Sequence, residues 1–145
     1  MNMKFCKTRE VKTPNRGTKD SAGLDFYIPT GFDQVVAPNM EALIPTGIKV
    51  DIPDGTMLQV CNKSGRACNG LIVGAEINDS DFQGEIFMNV WNISRKPVYL
   101  EAGEKLVQMV LIPILFPTLE ETKEEDLFKE STERGDGKFG STGLK

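Results

Sequence analysis

The segment from Leu24 to Cys61 reads LDFYIPTGFDQVVAPNMEALIPTGIKVDIPDGTMLQVC, and its pattern decides the fold class. Three short apolar runs in this segment end in the same kind of turn: Ile28-Pro29-Thr30-Gly31, Ile44-Pro45-Thr46-Gly47 and Ile52-Pro53-Asp54-Gly55. Proline fixes φ at about −65° at the second turn position, and glycine is favoured at the fourth. The segment is therefore predicted to consist of short strands joined by tight turns.

β-rich runs separated by Gly, Pro, Asn and Asp continue beyond this segment. No 11-residue window before position 118 has the apolar spacing of an amphipathic helix. Many short strands with frequent turns favour an all-β sandwich or barrel over βαβ units. The predicted strands are Leu24–Ile28, Ala42–Ile44, Ile48–Ile52, Met57–Cys61, Leu71–Val73, Glu85–Trp91 and Lys105–Ile112.

The composition is that of a soluble globular domain and excludes several kinds of chemistry. The chain has 145 residues, of which 39% are hydrophobic, and this is enough for one core. It has no histidine, which excludes Ser-His and Cys-His catalysis and most zinc sites. A net charge of −4 has the wrong sign for a non-specific nucleic-acid binder. The three cysteines lack C-x-x-C spacing, so we expect free thiols in a reducing compartment.

The sequence predicts neither a secretory signal peptide nor a membrane-spanning segment. The first residues, MNMKFCKTREVK, contain charges but no apolar h-region. The longest mostly apolar stretch, Leu106 to Phe116, is eleven residues long and is too short to span a bilayer. We therefore expect a soluble, cytoplasmic protein with no membrane partner.

The composition divides the chain into three segments. Residues 1–117 carry the strand pattern and are predicted to form the β core. Residues 118–130 contain six acids and two lysines, a charge of −4, which predicts a solvated linker with at most one helical turn. Residues 131–145 are rich in glycine and have too little apolar mass to fold alone, so we expect a tail that is either disordered or docked on another surface.

Five short segments contain the polar residues that could perform chemistry. Each of them alone is more often a turn, a solvated charge or a strand end. One of them, Asn62–Arg66, sets two cations and a hydroxyl around a glycine, which suits the binding of an oxyanion by side chains and backbone N–H groups. In chain order they are Ser21–Asp25, Asn62–Arg66, Asn78–Gly84, Gly103–Gln108 and Arg134–Gly143.

In order and spacing, these segments resemble the five motifs of the homotrimeric deoxyuridine triphosphatase (dUTPase) family, over residues 20 to 143. The resemblance implies a jelly-roll-like β-barrel or sandwich whose C-terminal arm is exchanged between the subunits of a homotrimer and closes a neighbouring active site. It also implies hydrolysis of dUTP to dUMP and pyrophosphate with Mg²⁺. That reaction keeps uracil out of DNA and supplies dUMP for dTMP synthesis. No nucleic-acid partner is expected.

The resemblance assigns roles in the chemistry at phosphorus. Asp79 is similar to the carboxylate that orients and deprotonates the attacking water, and Asp25 to the acid that holds Mg²⁺ through water. Lys63 replaces the arginine usual in the family, which loses bidentate phosphate geometry. The residues expected to bind the phosphates are Lys63, Ser64, Gly65, Gln108, Arg134, Ser141 and Thr142.

The resemblance also assigns the nucleoside contacts. The hairpin Val73-Gly74-Ala75-Glu76-Ile77 is expected to read the uracil edge through its main chain. Phe82 replaces the usual tyrosine, and its ring is expected to pack under deoxyribose. Glu76 and Lys138 also depart from the family, each in place of a usual glycine. The residues expected to contact uracil or deoxyribose are Val73, Gly74, Ala75, Ile77, Phe82, Phe139 and Gly140.

Two other functions remain open at this point. A dCTP deaminase-like relative would have the same fold, although Asp79 and the complete tail with Phe139 argue against it. A weakly catalytic trimer with a regulatory role is the second alternative, and the five intact motifs argue against that.

Overall fold

The computed structural model describes residues 2–138, 141 and 143. Two compact units are formed, one ending at Leu115 and the other beginning at Phe116. Within the described residues the first unit contains eleven strands and one short helix, α1 (Ser64–Cys68). The strands are β1 (Lys4–Lys7), β2 (Leu24–Tyr27), β3 (Gln34–Val36), β4 (Glu41–Pro45), β5 (Ile48–Asp51), β6 (Thr56–Asn62), β7 (Leu71–Val73), β8 (Ile77–Asn78), β9 (Phe87–Asn92), β10 (Val98–Leu100) and β11 (Lys105–Pro113).

The strands of the first unit pair only antiparallel within the described residues. The largest sheet has the order β2-β11-β6-β8, and a second has the order β4-β9-β7. Two smaller pairs, β1-β5 and β3-β10, complete the unit. The prediction of an all-β fold is confirmed.

The three Pro-x-Gly turns are corners at which the chain leaves one sheet and enters another. They connect β2 to β3, β4 to β5 and β5 to β6, and the two strands of each pair belong to different sheets. Gly31, Gly47 and Gly55 have φ values of +86°, +70° and +75°. Only glycine adopts this left-handed region readily, so the glycines allow the chain to change direction there.

The core lies between the sheets and follows the alternation of the strands. In β6, Leu58 and Val60 are buried, while Met57, Gln59 and Cys61 are half-buried on the opposite face. Ile44, Met88 and Met109 are fully buried among the core residues of the other strands. The opposite face of the β2-β11-β6-β8 sheet also carries polar side chains, such as those of Gln59 and Gln108.

All seven predicted strands are present, with ends that differ by up to two residues. The sequence did not predict β1, β3, β8 and β10, which have two to four residues each and show too little alternation. Nor did it predict α1, because a five-residue helix is too short to show a helical period.

The second unit contains little regular structure. Glu124–Asp126 form one 3₁₀ turn, in agreement with the single turn predicted for the acidic segment. Among the described residues of this unit, Leu119 and Phe128 are 92% and 77% exposed. Among the described residues, no helix has the length and apolar character needed to cross a membrane.

Gly47→Ala is expected to cost more stability than Gly55→Ala. Both substitutions force alanine into the left-handed region, at about 1–2 kcal/mol each. At position 47 the new Cβ would also lie 2.9 Å from Val11 Cγ1, whereas at position 55 it would meet nothing within 4 Å. Urea unfolding of both variants measures the difference. If both variants lose the same free energy of unfolding, the close approach of Val11 to Gly47 does not matter for stability.

Candidate active site

Asp25 is the centre of the charged cluster on the largest sheet. Its side chain, on β2, is only 6% exposed. Lys63 Nζ lies 2.5 Å from Asp25 Oδ1, and Lys105 Nζ lies 2.7 Å from Oδ2. Each carboxylate oxygen therefore has its own ammonium partner, and the three groups together carry one net positive charge.

The two lysines keep Asp25 ionised despite its burial. Burial alone would raise the pKa of Asp25, but the hydrogen bonds and charges of Lys105 and Lys63 outweigh it, and the pKa lies below its ordinary value. The hydrogen bond with Asp25 in turn raises the pKa of Lys105. Asp25 is therefore ionised at neutral pH although it is buried.

Local features of β2 and β11 direct these side chains. The β2–β11 register shifts by one residue between Lys105 and Val107, an irregularity that re-aims side chains. Gln108 pairs with Asp25, and its Nε2 donates to Asn62 O at 2.8 Å. A Cβ on Gly23 would lie 2.6 Å from Gln108 Oε1, so glycine at this position leaves the space that the glutamine side chain occupies.

A cationic groove begins at this cluster and follows the start of α1. It is lined by Lys63, Gly65, Arg66, Asn69 and Lys105. Arg66 donates to Lys105 O at 3.2 Å and forms a 2.9 Å ion pair with Glu104. Ser64, the first residue of α1, is exposed. Three cations in one groove can bind an anion with several negative charges.

The hairpin predicted to read uracil connects β7 to β8 and is fixed at both ends. Val73 N donates to Asn62 Oδ1 at 2.8 Å, and Gly74 N donates to Asn89 O at 2.9 Å. Val60 N donates to Glu76 O at 2.7 Å, so Glu76 takes part in β6 pairing through its backbone. Ala75 and Ile77 are exposed, and Ile77 is 64% so.

Asp79 lies in a turn directly after β8. Phe82 N donates to Asp79 O at 3.2 Å and closes the turn, and the Asp79 side chain is exposed. The Phe82 ring rests on Gly84, where an added Cβ would overlap the ring carbon Cζ. Phe82 remains 45% exposed and can cover a ligand with its ring.

Within one chain, the strand register separates Asp25 from Asp79. Asp25 lies opposite Gln108, and Gln108 lies opposite Cys61 on β6. Asn78, the residue before Asp79, pairs with β6 three residues away from Cys61. Three strand spacings across and three residues along give roughly 17 Å between the Cα atoms of Asp25 and Asn78. The two carboxylates of one chain cannot meet at one phosphorus atom.

The arm residues belong to the second unit. Arg134 Nε donates to Gly137 O at 3.3 Å, and Gly137 N donates to Arg134 O at 3.0 Å. Ser141 N donates to Lys138 O at 3.0 Å. The other arm residues assigned to the site, Phe139, Gly140 and Thr142, lie outside the described residues.

Three residues of the charged site were not predicted from the sequence. Lys105 and Arg66 extend the cationic groove, and Asn62 connects Gln108 to the hairpin through its two oxygen atoms. All three lie within or next to the motif segments. The charges of Lys105 and Arg66 were visible in the sequence, but the β2–β11 register that brings Lys105 to Asp25 was not.

The donor set fits a hydrated Mg²⁺ that arrives with a polyphosphate. Both oxygens of Asp25 already accept hydrogen bonds from ammonium groups, and the described residues contain no group of three His, Cys, Asp or Glu side chains that could hold a metal. Mg²⁺ usually keeps several waters and binds through one or two carboxylates together with substrate phosphates. Asp25, next to Gln108, would provide one such carboxylate.

An antiparallel β fold with a cationic groove beside a buried carboxylate is suited to binding a polyphosphate. A sequence model of the dUTPase family matches residues 9–143, and the chain belongs to that family. The deoxyuridine 5′-triphosphate nucleotidohydrolase of Hydrogenovibrio crunogenus is 36% identical over 139 residues, which are 93% of this chain and 89% of the relative. The protein of the same name from Yarrowia lipolytica is 34% identical, with coverage of 99% and 90%.

Solved structures confirm the jelly-roll-like fold. The dUTPase of Staphylococcus bacteriophage 80alpha with dUpNHpp matches with a TM-score of 0.84 at 23% identity, over 99% of both chains. A mutant dUTPase from phage phi11 of S. aureus, whose structure concerns the coordination of a structural Mg(II) ion, matches with a TM-score of 0.79 at 22% identity. The match covers 90% of this chain and 100% of the phage protein.

Asp25→Asn is expected to reduce how steeply the free energy of unfolding falls as the pH becomes acidic. The pKa of Asp25 is lower in the folded chain than in the unfolded chain. Its contribution is therefore fully present above the unfolded pKa of about 4 and is lost as pH falls through the folded pKa. Urea unfolding of both proteins at several pH values measures this.

The free energy of unfolding of the variant will still fall to some extent at acidic pH. The reason is that hydrogen bonds from Arg9 also hold the pKa of Glu85 below its ordinary value. Identical slopes in the natural and substituted proteins would contradict the ion-pair assignment.

Proposed function

We propose that the hydrolysis of dUTP to dUMP and pyrophosphate, the activity for which the curated relatives are named, occurs in sites shared between copies of this chain. The observation that carries the proposal is the separation of Asp25 from Asp79 in one chain. A carboxylate that deprotonates a water must lie within hydrogen-bonding distance of it, directly or through one further water. A substrate that uses both acids therefore binds between two chains, which supports the homotrimer that the family resemblance implies.

The groove beside Asp25 binds the triphosphate. Lys63 and Lys105 are held by one carboxylate, and the several negative charges of a triphosphate compete for the same ammonium groups. Ser64 and Gly65, at the start of α1, offer a hydroxyl and backbone donors. Gln108 lies beside Asp25 and contacts the α-phosphate. When bound, Mg²⁺ neutralises charge on the phosphate oxygens and makes the phosphorus more electrophilic.

Asp79 is the general base. It orients a water for in-line attack on the α-phosphorus and accepts the proton of that water. The bond from the α-phosphorus to the oxygen that bridges to the β-phosphorus breaks, and its electron pair leaves with pyrophosphate. The exposed turn that carries Asp79 is open to a neighbouring chain.

The hairpin and Phe82 select the nucleoside. Main-chain donors and acceptors of Val73, Gly74, Ala75 and Ile77 bind the uracil edge, and cytosine mismatches them because an amino group replaces a carbonyl. The Phe82 ring, supported by Gly84, packs under deoxyribose and leaves no space for a 2′-hydroxyl.

The arm closes the site of a neighbouring copy. Arg134, Ser141 and Thr142 contact the γ-phosphate, Phe139 stacks on uracil, and Gly140 allows the backbone to approach the base. The composition of residues 131–145 supports this role, because the segment is rich in polar residues and glycine and has few apolar side chains.

Asp79→Asn is expected to lower kcat for dUTP by roughly 10²–10⁴, the usual effect of losing a general base, with little change in KM. Asp81→Asn is the matched control, because it removes the same charge two residues further along the chain. Pyrophosphate release measures both. Near-normal turnover of the Asp79 variant, or an equal loss in the control, would remove Asp79 from this role.

A chain ending at Glu130 is expected to keep its oligomeric mass and melting temperature but to lose most of its activity. The deleted segment contains few apolar side chains, so its loss should affect substrate contacts first. Light scattering measures the oligomeric mass, thermal unfolding the melting temperature, and pyrophosphate release the activity. Full activity would contradict closure by the arm, and dissociation to monomers would show that the arm holds the assembly together.

A further inference from the structure

Gly74, in the hairpin proposed to read uracil, lies unusually close to two side chains of the neighbouring strand, Asn89 and Trp91. A Cβ built on Gly74 would overlap Asn89 Oδ1 and would lie 2.9 Å from Trp91 Nε1. Gly74 N also donates to Asn89 O at 2.9 Å. The hairpin backbone therefore rests on β9, with the Asn89 amide directly against it.

The Asn89 side chain is itself held from the opposite side. Its Nδ2 donates to Glu41 Oε2 at 3.1 Å, across the β4–β9 pair. This hydrogen bond fixes which end of the amide faces the hairpin, because the nitrogen is used by Glu41 and the oxygen remains for Gly74. A continuous line of contacts thus leads from Glu41 through Asn89 to Gly74.

We propose that Glu41 and Asn89 are positioning residues for the hairpin and thereby determine base specificity. Neither residue lies in the five motif segments, and the proposed role requires neither of them to contact the base. The proposal rests on the function proposed above, in which the main chain of this hairpin reads uracil. Main-chain readout depends on the position of the backbone itself, so a support that fixes Gly74 also fixes the donors and acceptors around it.

The chemistry of the pair suggests an exchange of donor and acceptor as the test. Asn89→Asp keeps the shape and the oxygen near Gly74 but places a second carboxylate against Glu41, which repels it. Glu41→Gln keeps an acceptor for Asn89. In the double variant, the amide introduced at position 41 can donate to the carboxylate introduced at position 89. The side-chain hydrogen bond between the two positions is thereby restored, with donor and acceptor exchanged.

The measurements compare dUTP and dCTP turnover in the full-length protein and in the E41Q, N89D and E41Q/N89D variants. For N89D we expect KM for dUTP to rise roughly threefold to tenfold, the range for one hydrogen bond, with kcat nearly unchanged. The preference for dUTP over dCTP should narrow by a similar factor. E41Q alone should behave like the natural protein, and the double variant should recover most of the loss.

Two controls separate this role from a general structural one. Inorganic triphosphate, which has no base, should inhibit all four proteins with the same Ki. Trp91, the single tryptophan, lies beside Gly74, so its emission should shift in N89D and return in the double variant.

An N89D variant with unchanged KM and unchanged base preference would overturn the proposal. So would weaker triphosphate inhibition in N89D, or a double variant no better than N89D. Failure of the natural protein to hydrolyse dUTP would instead overturn the proposed function.

Discussion

The register of β11 is the constraint on which the site depends. This strand pairs with β2 on one side and β6 on the other, so Gln108 lies opposite both Asp25 and Cys61. A slip of one residue would turn every side chain of β11 to the other face and bury Gln108 in the core. The same register separates Asp25 from Asp79 within one chain.

The electrostatics of the cluster suit a ligand that brings its own negative charge. Asp25 alone is a buried carboxylate, which would be costly without partners. Two lysines provide that partnership, and their charges exceed that of Asp25 by one. A triphosphate with its magnesium can therefore enter a groove that is already cationic, while the carboxylate beside it remains ionised.

Much of this arrangement could be predicted from the sequence, and the reasons for the failures are physical. Alternating apolar residues and the Pro-x-Gly turns predicted the long strands, and the motif segments predicted Asp25, Lys63 and Gln108. Sequence patterns do not report which strands become neighbours, so the change of sheet at each corner was not predicted. For the same reason, the second ammonium on Asp25, from Lys105, was missed. Short strands such as β8 depend on pairing with β6 rather than on their own pattern.

The central claim is that each active site takes Asp25 and Asp79 from different chains. The most direct test mixes the Asp25→Asn and Asp79→Asn proteins, each of which should be nearly inactive alone, under conditions that exchange subunits. If sites are shared, random trimers contain natural residues at both positions in about one quarter of their sites, and that share of activity should return. No recovery, with subunit exchange demonstrated by mass, would show that both acids act from the same chain and would contradict the account.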